Sequence, residues 1–347
     1  MIALPMEQPD FDQVVAEITQ EEWEQNLEIG RFRKLQILKV MHRPFSVVGR
    51  CRVIGDKNES IVFIKKYRLQ DGRTVQRHHE KIRQDMEAAH YWYTHFSDSH
   101  RFRVVRPVLD MPERSITVTE ESTGENLFQI LLQSAHLLAG TTKSQQLDKQ
   151  VFMVGEWLNF KQQKMLIPNK NYNLNELVDY VNVRLEKLLE DPRRQFPAGL
   201  SPKVRNYFQE QISQVPENEL LVTVNHSDFN PGNILIKNDI VTVLDFGRLV
   251  DGSYLLDVSK LYFQLELLTF KPQFSKSTIR RIQQMLLSGF GDANATEKMM
   301  FKLLLIRHIL THLANITRFW KFNLPERLYN TWVLRRELSI LNRLIDS

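Results

Sequence analysis

Two short runs of β-branched residues lie deep in the half of the chain where helical patterns dominate. They span residues 234–237 and 240–244, and only Asn238 and Asp239 separate them. Such runs joined by two turn-forming residues are typical of a β-hairpin. If Asn238 and Asp239 form the turn, Asn233 and Asp245 lie at the same open end of the hairpin. The sequence therefore predicts a hairpin that brings an amide and a carboxylate together.

These polar side chains have the chemistry of a magnesium site with a neighbouring base. Asn233 and Asp245 offer hard oxygen ligands, and Mg²⁺ in proteins usually takes one or two such ligands and completes its shell with phosphate and water. Asp228 precedes Asn233 by five residues, and its carboxylate could accept the proton of an attacking hydroxyl. Between them, Pro231 and Gly232 restrict and release the backbone, which predicts a shaped loop.

The rest of the chain divides by composition. Strand-like segments surround one helical stripe up to residue 121, and residues 45–54 read as a strand pair with Gly49 in its turn. We predict three parts from these patterns. They are a helical leader over residues 1–43, a nucleotide-binding domain over 44–121, and a helical domain over 122–347 that the hairpin interrupts.

The spacing of the polar residues resembles that of a known superfamily. His226-Ser227-Asp228, Asn233 and Asp245-Phe246-Gly247 resemble the His-x-Asp, metal-binding Asn and Asp-Phe-Gly elements of protein-kinase-like enzymes. Within that superfamily, HSDFNPGNIL is most similar to the aminoglycoside phosphotransferase and choline kinase group. The resemblance implies an α+β, protein-kinase-like bilobal fold with a small β-rich N-lobe and a larger helical C-lobe. It also implies ATP or GTP as the donor, with Mg²⁺.

The resemblance also assigns nucleotide contacts. A lysine of the third strand holds the phosphates, and alternation along residues 61–67 favours Lys65 over Lys66. Glu87 is the predicted helix partner of this lysine, with Glu80 as the alternative. Glu121 and Ser122 resemble the hinge that contacts adenine through its main chain, although an acidic linker would have the same sequence.

Four further residues are expected to support the loops of the site. In the superfamily the histidine braces the catalytic loop, and we assign that role to His226. Gly232 and Gly247 are expected to allow close approach or unusual backbone angles. Asp257 resembles the residue that anchors the short loop to the helical lobe, and the alternative is a helix cap.

The acceptor is expected to be the hydroxyl of a small molecule. Only ten residues separate Gly247 from Asp257, which leaves no room for the long activation segment of protein kinases. The predicted acceptor helices between residues 165 and 220 carry acids and bases in near balance. This balance favours a sugar or saccharide over a polycationic aminoglycoside, and an amino alcohol stays open.

Composition excludes several other classes. The formal charge of +5 comes from 46 basic and 41 acidic residues spread along the chain, so no nucleic-acid-binding patch is predicted. No targeting segment or membrane span is recognisable, and the single cysteine, Cys51, fits a reducing compartment. We therefore expect a cytoplasmic enzyme. The principal alternative is a pseudokinase-like module that binds a nucleotide or a partner without transfer, because Gly49 alone does not make a glycine-rich phosphate loop.

Overall fold

The protein forms two compact units. The computed structural model describes residues 11–69, 72–137, 140–191, 193, 195–318 and 322–346, so the first ten residues of the predicted leader lie outside the described part. The first unit comprises Met1–Gly124 and Leu235–Leu249, and the second comprises Glu125–Ile234 and Val250–Ser347. Most of the hairpin thus groups with the strand-rich unit, whereas the sequence pattern placed it within the helical region.

A five-stranded antiparallel sheet forms the first unit, in the order β1-β2-β3-β6-β5. A long helix, α3, contacts β4 and β5. The strands are β1 (Phe32–Arg43), β2 (Ser46–Gly55), β3 (Glu59–Tyr67), β4 (Phe102–Val104), β5 (Pro107–Met111) and β6 (Ile116–Glu120), and the helices are α1 (Phe11–Ala16), α2 (Gln20–Asn26) and α3 (Val75–Phe96).

The second half of the predicted helical leader is a β-strand. β1 pairs with β2 along its whole length, with register shifts between Phe32 and Lys34 and between Ile37 and Lys39. The lysine, leucine and glutamine residues of this segment favour a helix locally. Pairing with β2 and packing against the core outweigh this propensity, as is common for strands. The residues of β1 that pack on the core are Phe32, Leu35, Ile37 and Val40.

The first half of the leader covers one face of this sheet. Phe11 and Val14 of α1 and Trp23 of α2 belong to the same buried cluster as Cys51 and Val62 of the sheet. Burial raises the pKa of the Cys51 thiol to about 12, so this cysteine stays protonated at neutral pH. The leader is therefore part of the hydrophobic core of the first unit.

Gly49 does not lie in a turn, which corrects the sequence prediction. It lies within β2, and a Cβ atom at this position would approach the Phe11 ring to 2.0 Å. The turn between β1 and β2 instead contains Pro44 and Phe45. The glycine is needed because an aromatic ring of the leader packs directly on the backbone.

The hairpin follows the sequence prediction closely. β10 (Ile234–Lys237) and β11 (Ile240–Val243) are neighbours in a second sheet, and β11 pairs in parallel with β4. Asn238 has a φ of 54°, a left-handed conformation that asparagine tolerates better than most residues. This turn fixes where the segment after β11 begins.

The second unit is mainly helical. Its three-stranded sheet has the order β12-β9-β8. Its helices are α4 (Leu127–Ser134), α5 (Thr141–Met165), α6 (Leu174–Leu189), α7 (Leu200–Ile212), α8 (Leu256–Leu268), α9 (Lys276–Phe290), α10 (Met299–Ile316) and α11 (Leu324–Ile345), and its strands are β7 (Glu125–Asn126), β8 (Leu166–Asn171), β9 (Leu221–Asn225) and β12 (Val250–Ser253).

Glycines let α5 and α9 pack closely in this unit. A Cβ atom on Gly155 would lie 2.2 Å from the Leu286 carbonyl oxygen, and one on Gly289 would lie 2.0 Å from the Phe152 carbonyl oxygen. α9 begins at Ser275, whose side chain accepts a hydrogen bond from the Thr278 amide, and ends at Gly291 with a φ of 85°.

One helix among the described residues, α10, is long and apolar enough to cross a membrane by length and composition. Of its apolar window, 61% is buried inside the protein. Burial of this extent is what the core helix of a folded domain also shows.

Replacing Gly49 with alanine tests the contact between the leader and the sheet. The new methyl group overlaps the Phe11 ring, so we expect a loss of about 1–3 kcal/mol in the free energy of unfolding. Urea unfolding measures this loss, and Gly199→Ala is the control because a Cβ atom there meets no atom within 4 Å. In the Phe11→Ala background, Gly49→Ala should cost much less, and an equal cost in both backgrounds would contradict the proposed overlap.

Candidate active site

A buried carboxylate organises the loop between β9 and β10. Asp257, in the first turn of α8, is fully buried and accepts hydrogen bonds from the main-chain amides of His226 at 2.9 Å and Ser227 at 3.0 Å. The ammonium of Lys161, on α5, lies 3.0 Å from the same carboxylate and is also buried. One side chain therefore connects α5, α8 and the loop.

The partners of Asp257 keep it ionised. Burial alone would raise the pKa of this carboxyl group, but the charge of Lys161, the neighbouring His226 and the hydrogen bonds together lower it below its ordinary value. Lys161 also donates to Asn225 Oδ1 at 3.0 Å. The charges are thus paired and hydrogen-bonded, as buried ions must be.

Asp228 is held at the surface of this loop by a second residue of α8. Lys260 Nζ lies 2.7 Å from Asp228 Oδ1 and donates to the Ser227 carbonyl oxygen at 2.8 Å. Lys260 follows Asp257 by three residues, so both face the loop from the same side of the helix. Ser227 has a φ of 61°, a strained conformation that these contacts maintain on both sides.

His226 and Phe229 fix the inner side of the loop. His226 is buried, and its Nδ1 accepts a hydrogen bond of 3.3 Å from the Asp228 amide. Its ring meets that of Phe229 edge to face, and Phe229 stacks on Trp157 with 5.3 Å between ring centroids. His226 therefore contacts the backbone of Asp228 and lies within the packed interior of the loop.

Asparagine side chains shape the end of the loop. Asn233 Nδ2 donates to the Asp228 carbonyl oxygen at 3.1 Å, and Asn230 Oδ1 accepts from the Gly232 amide at 2.8 Å. A Cβ atom on Gly232 would lie 2.9 Å from Asn230 Oδ1, so this close turn favours glycine. The Asn233 amide is oriented with its nitrogen inward, which leaves its oxygen available to a cation.

A cavity of about 580 Å³ opens beside Asp228, and residues of the second unit alone line it. Residues of α4, α6, α8, α10 and α11 form its walls, together with the segment after α8 and the loop from Ser227 to Gly232. Tyr180 is the one residue of this wall that lies within the predicted acceptor region between residues 165 and 220. The larger contributions come from α8 and α10, which the sequence prediction did not include.

In the first unit, strand alternation separates the two candidate lysines. Lys66 Nζ is bound to the Glu17 carboxylate of the leader at 2.7 Å and 2.9 Å. Lys65 faces the other side, where its ammonium lies 3.9 Å from Asp245 Oδ1 and 4.6 Å from the centroid of the Tyr67 ring. Burial opposes the charge, but Tyr67, Asp245 and Asp85 together raise the pKa of Lys65 above its ordinary value.

Asp245 follows β11 with an exposed side chain. Its φ of 57° is strained for a residue with a Cβ atom. The neighbouring Phe246 is buried and packs on Trp92 of α3 with 5.0 Å between ring centroids, which anchors the segment. At Gly247 an added Cβ atom would lie 4.0 Å from Asp85 Oδ1, so neither space nor backbone angle demands the glycine expected there.

The helix carboxylate beside Lys65 is Asp85, which corrects the prediction for Glu87. Glu87 lies on the exposed face of α3, and the alternative, Glu80, is paired with Arg83. Asp85 is nearly buried, binds Lys81, and contributes to the raised pKa of Lys65. Helical spacing placed both 85 and 87 near the buried stripe, and it did not show which side of the stripe faces β3.

Cationic side chains surround Lys65 where a glycine-rich loop was missing from the sequence. A cavity of about 240 Å³ is lined by the turn between β1 and β2, the end of β3 and the start of α3. Among the described residues that line this cavity, Asp85 is the single carboxylate. The cationic residues that line this cavity are Arg43, Lys65, Arg68, Arg73 and Lys81. This composition suits a polyanion such as a chain of phosphates.

The predicted hinge is tied to β2 through its side chain. The Glu121 carboxylate accepts two hydrogen bonds from Arg50, at 2.6 Å and 2.9 Å, and the Glu121 amide donates to the Ile61 carbonyl oxygen. This amide is therefore already used by β3 and is not available to a base. Glu121 and Ser122 line a separate cavity of about 440 Å³ in the first unit.

The structure therefore brings the predicted residues together in two groups. Lys65 and Asp245 meet in the first unit, while His226, Asp228 and Asn233 share one loop in the second unit, where Asp257 holds it. No sequence pattern distinguishes Lys161, Lys260 and Asp85 from ordinary charged residues of helices. Arg43 carries a weak signal, since it adjoins Pro44 in a turn between strands.

Comparison with known proteins agrees with this geometry. The phosphotransferase enzyme family matches over residues 63–291. The structure is similar to a choline kinase from Cryptosporidium parvum Iowa II, with a TM-score of 0.58, 12% identity and 97% of both chains covered. It is also similar to a glucosamine kinase, with a TM-score of 0.55, 13% identity and coverage of 96% of this chain and 99% of that one.

A third similar structure is the ternary complex of streptomycin, ATP and APH(2")-IIa, with a TM-score of 0.53, 11% identity and 97% of both chains covered. A search of curated protein sequences finds no match. The chain belongs to the phosphotransferase enzyme family and is a phosphotransferase of the small-molecule type. The predicted family and the α+β, protein-kinase-like fold are confirmed.

Removing the buried carboxylate should damage both stability and function. Asp257→Ala leaves the Lys161 ammonium buried without its partner, so we expect a loss of about 3–5 kcal/mol in the free energy of unfolding. The double variant Asp257→Ala, Lys161→Met removes both charges and should recover much of this loss. Phosphotransfer should stay low in both, because His226 and Ser227 lose their acceptor. Denaturant unfolding and an activity assay on the same samples measure the two effects, and recovery of activity in the double variant would contradict the anchoring role.

The lowered pKa of Asp257 also predicts how the wild-type stability depends on pH. A carboxyl group with a lower pKa in the folded state stabilises the fold above its ordinary pKa, and this contribution is lost as the pH falls through the folded value. The double variant should therefore lose less stability on acidification than the wild type does.

Proposed function

We propose that the protein transfers the γ-phosphate of ATP, with Mg²⁺, to a hydroxyl group of a small molecule. The observation that carries this proposal is the placement of Asp228. Its carboxylate lies at the wall of a cavity, on a loop whose backbone is fixed from below by Asp257 and whose side chain is held by Lys260. A positioned carboxylate beside an acceptor-sized cavity is the arrangement that phosphoryl transfer to an alcohol requires.

The residues present fit a nucleotide with a divalent cation. Asn233 has a free amide oxygen and Asp245 an exposed carboxylate, and both are hard oxygen ligands. No group of three or more His, Cys, Asp or Glu side chains within the described ranges is arranged to hold a metal by itself. On the chemistry of their side chains, we propose that Asn233 and Asp245 would hold Mg²⁺, with phosphate and water oxygens as further ligands. When bound, the cation neutralises charge on the phosphates.

We assign the phosphates to Lys65 and the cationic cavity around it. Arg43, the last residue of β1, would supply by its side chain the contacts that glycine-rich loops supply by backbone amides. The ion pair of Lys65 with Asp245 and the charge of Asp85 keep the Lys65 ammonium charged and directed into this cavity.

Asp228 serves the acceptor in this mechanism. Lys260 binds Oδ1, so we assign Oδ2 to the acceptor hydroxyl. The hydroxyl oxygen forms a bond to the γ-phosphorus, the bond from that phosphorus to the bridging oxygen breaks, and the hydroxyl proton passes to Asp228. Lys260 balances the negative charge of Asp228 before transfer and orients it.

Two alternatives follow from specific features. The missing glycine-rich loop is the feature that favours a nucleotide-binding module without transfer. A protein acceptor is disfavoured because β12 and α8 begin only three and nine residues after Gly247. We further propose a cytoplasmic location, for which the single, buried and protonated cysteine is the support.

The variant Asp228→Asn separates binding from transfer. It should keep the affinity for Mg²⁺ and ATP, since the metal and phosphate contacts are assigned to other residues. It should lower phosphotransfer by about a hundredfold or more, because a positioned base contributes roughly 10² to 10⁴. Calorimetry and a coupled assay of ADP formation measure the two quantities. Near-normal transfer would remove Asp228 from the mechanism, and a wild type that binds Mg²⁺ and ATP but transfers nothing would support the binding module.

The two neighbouring lysines form a matched pair. Lys65→Ala should raise KM for ATP about tenfold to a hundredfold, as expected for the loss of a charge-assisted hydrogen bond to phosphate. Lys66→Ala removes the same charge one residue away but affects only the contact with Glu17, so KM should stay near the wild-type value. Steady-state kinetics at saturating Mg²⁺ measures both, and the reverse ranking would transfer the phosphate role to Lys66.

A further inference from the structure

The described residues that line the cavity beside Asp228 include more cationic than anionic side chains. Asp228 is the only carboxylate among its described lining residues, and Lys260 already binds it. Three cationic residues line the same cavity, namely Lys260, Lys271 and Arg307. The cavity therefore keeps a positive excess after the pair of Asp228 and Lys260 is counted.

The two histidines of the cavity wall, His308 and His312, bring no further carboxylate to the lining of the cavity. Burial holds the pKa of His308 well below its ordinary value, so the ring is neutral at physiological pH. His312 contacts Glu337 through Nδ1 at 2.6 Å, and Glu337 is a buried residue of α11 that does not line the cavity. Burial raises the pKa of Glu337 above its ordinary value, although the contact with His312 acts in the opposite direction.

Arg307 is the residue that this charge balance points to. It lies in the middle of α10, and its guanidinium carbon is 4.1 Å from the centroid of the Tyr180 ring. Burial lowers the pKa of Arg307, and within the described part of the chain no carboxylate lies within 4 Å of its guanidinium. Asp257 is a carboxylate whose charge acts on Arg307, and it is already bound to Lys161 and the loop amides.

A partly buried guanidinium without a carboxylate partner destabilises the fold, because no ion pair offsets the free-energy cost of its desolvation. Arg307 is instead held in place from beneath by an aromatic face. Tyr180 shares a hydrogen bond of 3.1 Å with Thr311, and the guanidinium carbon of Arg184 lies 4.2 Å from the centroid of the same ring. The planar fork of Arg307 is thus preorganised and keeps its donors for a ligand.

The same face of α10 carries groups suited to hydroxyls. Arg307, Thr311 and Asn315 follow one another at intervals of four residues, so all three line the cavity in one row. Gln264 of α8 adds an amide to the opposite wall, and Phe263 and Tyr329 add aromatic surface. Polar groups that alternate with aromatic faces are suited to sugar rings.

We propose that the acceptor of this site, under the function proposed above, is a hydroxyl compound of sugar size that carries an anionic group, a carboxylate or a phosphate. Arg307 binds the anionic group by paired hydrogen bonds, and the reacting hydroxyl lies at Asp228. The positive excess disfavours cationic acceptors by like-charge repulsion. The charge balance of residues 165–220 left neutral and anionic sugars open, and the residues of α8 and α10 select between them.

Binding of matched sugars tests the proposal without knowledge of the natural acceptor. Calorimetry on the full chain, with ADP at saturation so that the nucleotide contacts are occupied, compares D-glucuronate and glucose 6-phosphate with D-glucose and D-glucosamine. We expect at least one anion to bind about tenfold or more tightly than D-glucose, and D-glucosamine to bind most weakly. The two anions distinguish a carboxylate from a phosphate. If neither anion binds more tightly than D-glucose, the proposal is overturned.

Variants of the two arginines that contact Tyr180 test which residue causes the preference for the anion. Arg307→Met keeps the length of the side chain without the charge, and should abolish the preference for the anion. Arg184→Met removes the same charge from an arginine that also contacts the Tyr180 ring but is not among the residues that line the cavity, and should keep the preference. Arg307→Lys should give an intermediate value, since a lysine restores the charge but not the planar fork. A preference that survives in Arg307→Met contradicts the assignment.

The proposal and the function on which it rests fail in different ways. Loss of ATP binding by the wild type in the presence of Mg²⁺ would contradict the proposed function, whatever the sugars do. Phosphate transfer to D-glucose or D-glucosamine as efficiently as to the anions would leave the phosphotransfer mechanism intact and overturn the anionic acceptor.

Discussion

The pair of Asp257 and Lys161 is the interaction on which the rest of the second unit's chemistry depends. An ammonium and a carboxylate are both removed from water there, and each is stable only because the other is present. The Asp257 carboxylate also accepts hydrogen bonds from two main-chain amides of the loop between β9 and β10. Ser227 is held at a positive φ as a result, and the backbone reaches Asp228 in a single orientation.

Helix α8 carries this order from the core to the cavity. Asp257 fixes the loop backbone, Lys260 one turn later fixes the Asp228 side chain, and Gln264 one turn beyond lines the acceptor cavity. Because these three residues are spaced by three and four positions, one face of α8 contacts the loop backbone, the Asp228 side chain and the cavity. A site built on a packed helix in this way is placed more accurately than a site built on loops alone.

Local features of the sequence were predictable, and long-range pairing was not. The hairpin around Asn238 and the loop from His226 to Asn233 are set by turn residues and neighbouring polar groups. β1 was predicted as a helix because only its pairing with β2 decides its conformation. Glu87 was chosen over Asp85 for a similar reason, since which side of α3 faces Lys65 depends on the packing of the whole unit. Lys161 and Lys260 differ from surface lysines only by partners 96 and 32 residues away.

The net charge of the chain acquires a physical meaning in the two cavities. Both reactants of the proposed transfer are anions, a nucleotide triphosphate and an acidic sugar, and each must be desolvated against its own charge. Among the described residues, five cationic side chains and one carboxylate line the cavity of the first unit, and three cationic side chains and one carboxylate line that of the second unit. Neither excess forms the extended basic surface that nucleic acid requires. Positive charge confined to two small cavities favours small anions. A nucleic-acid polymer could bring its phosphates to such sites only at the additional free-energy cost of desolvating its bases and backbone.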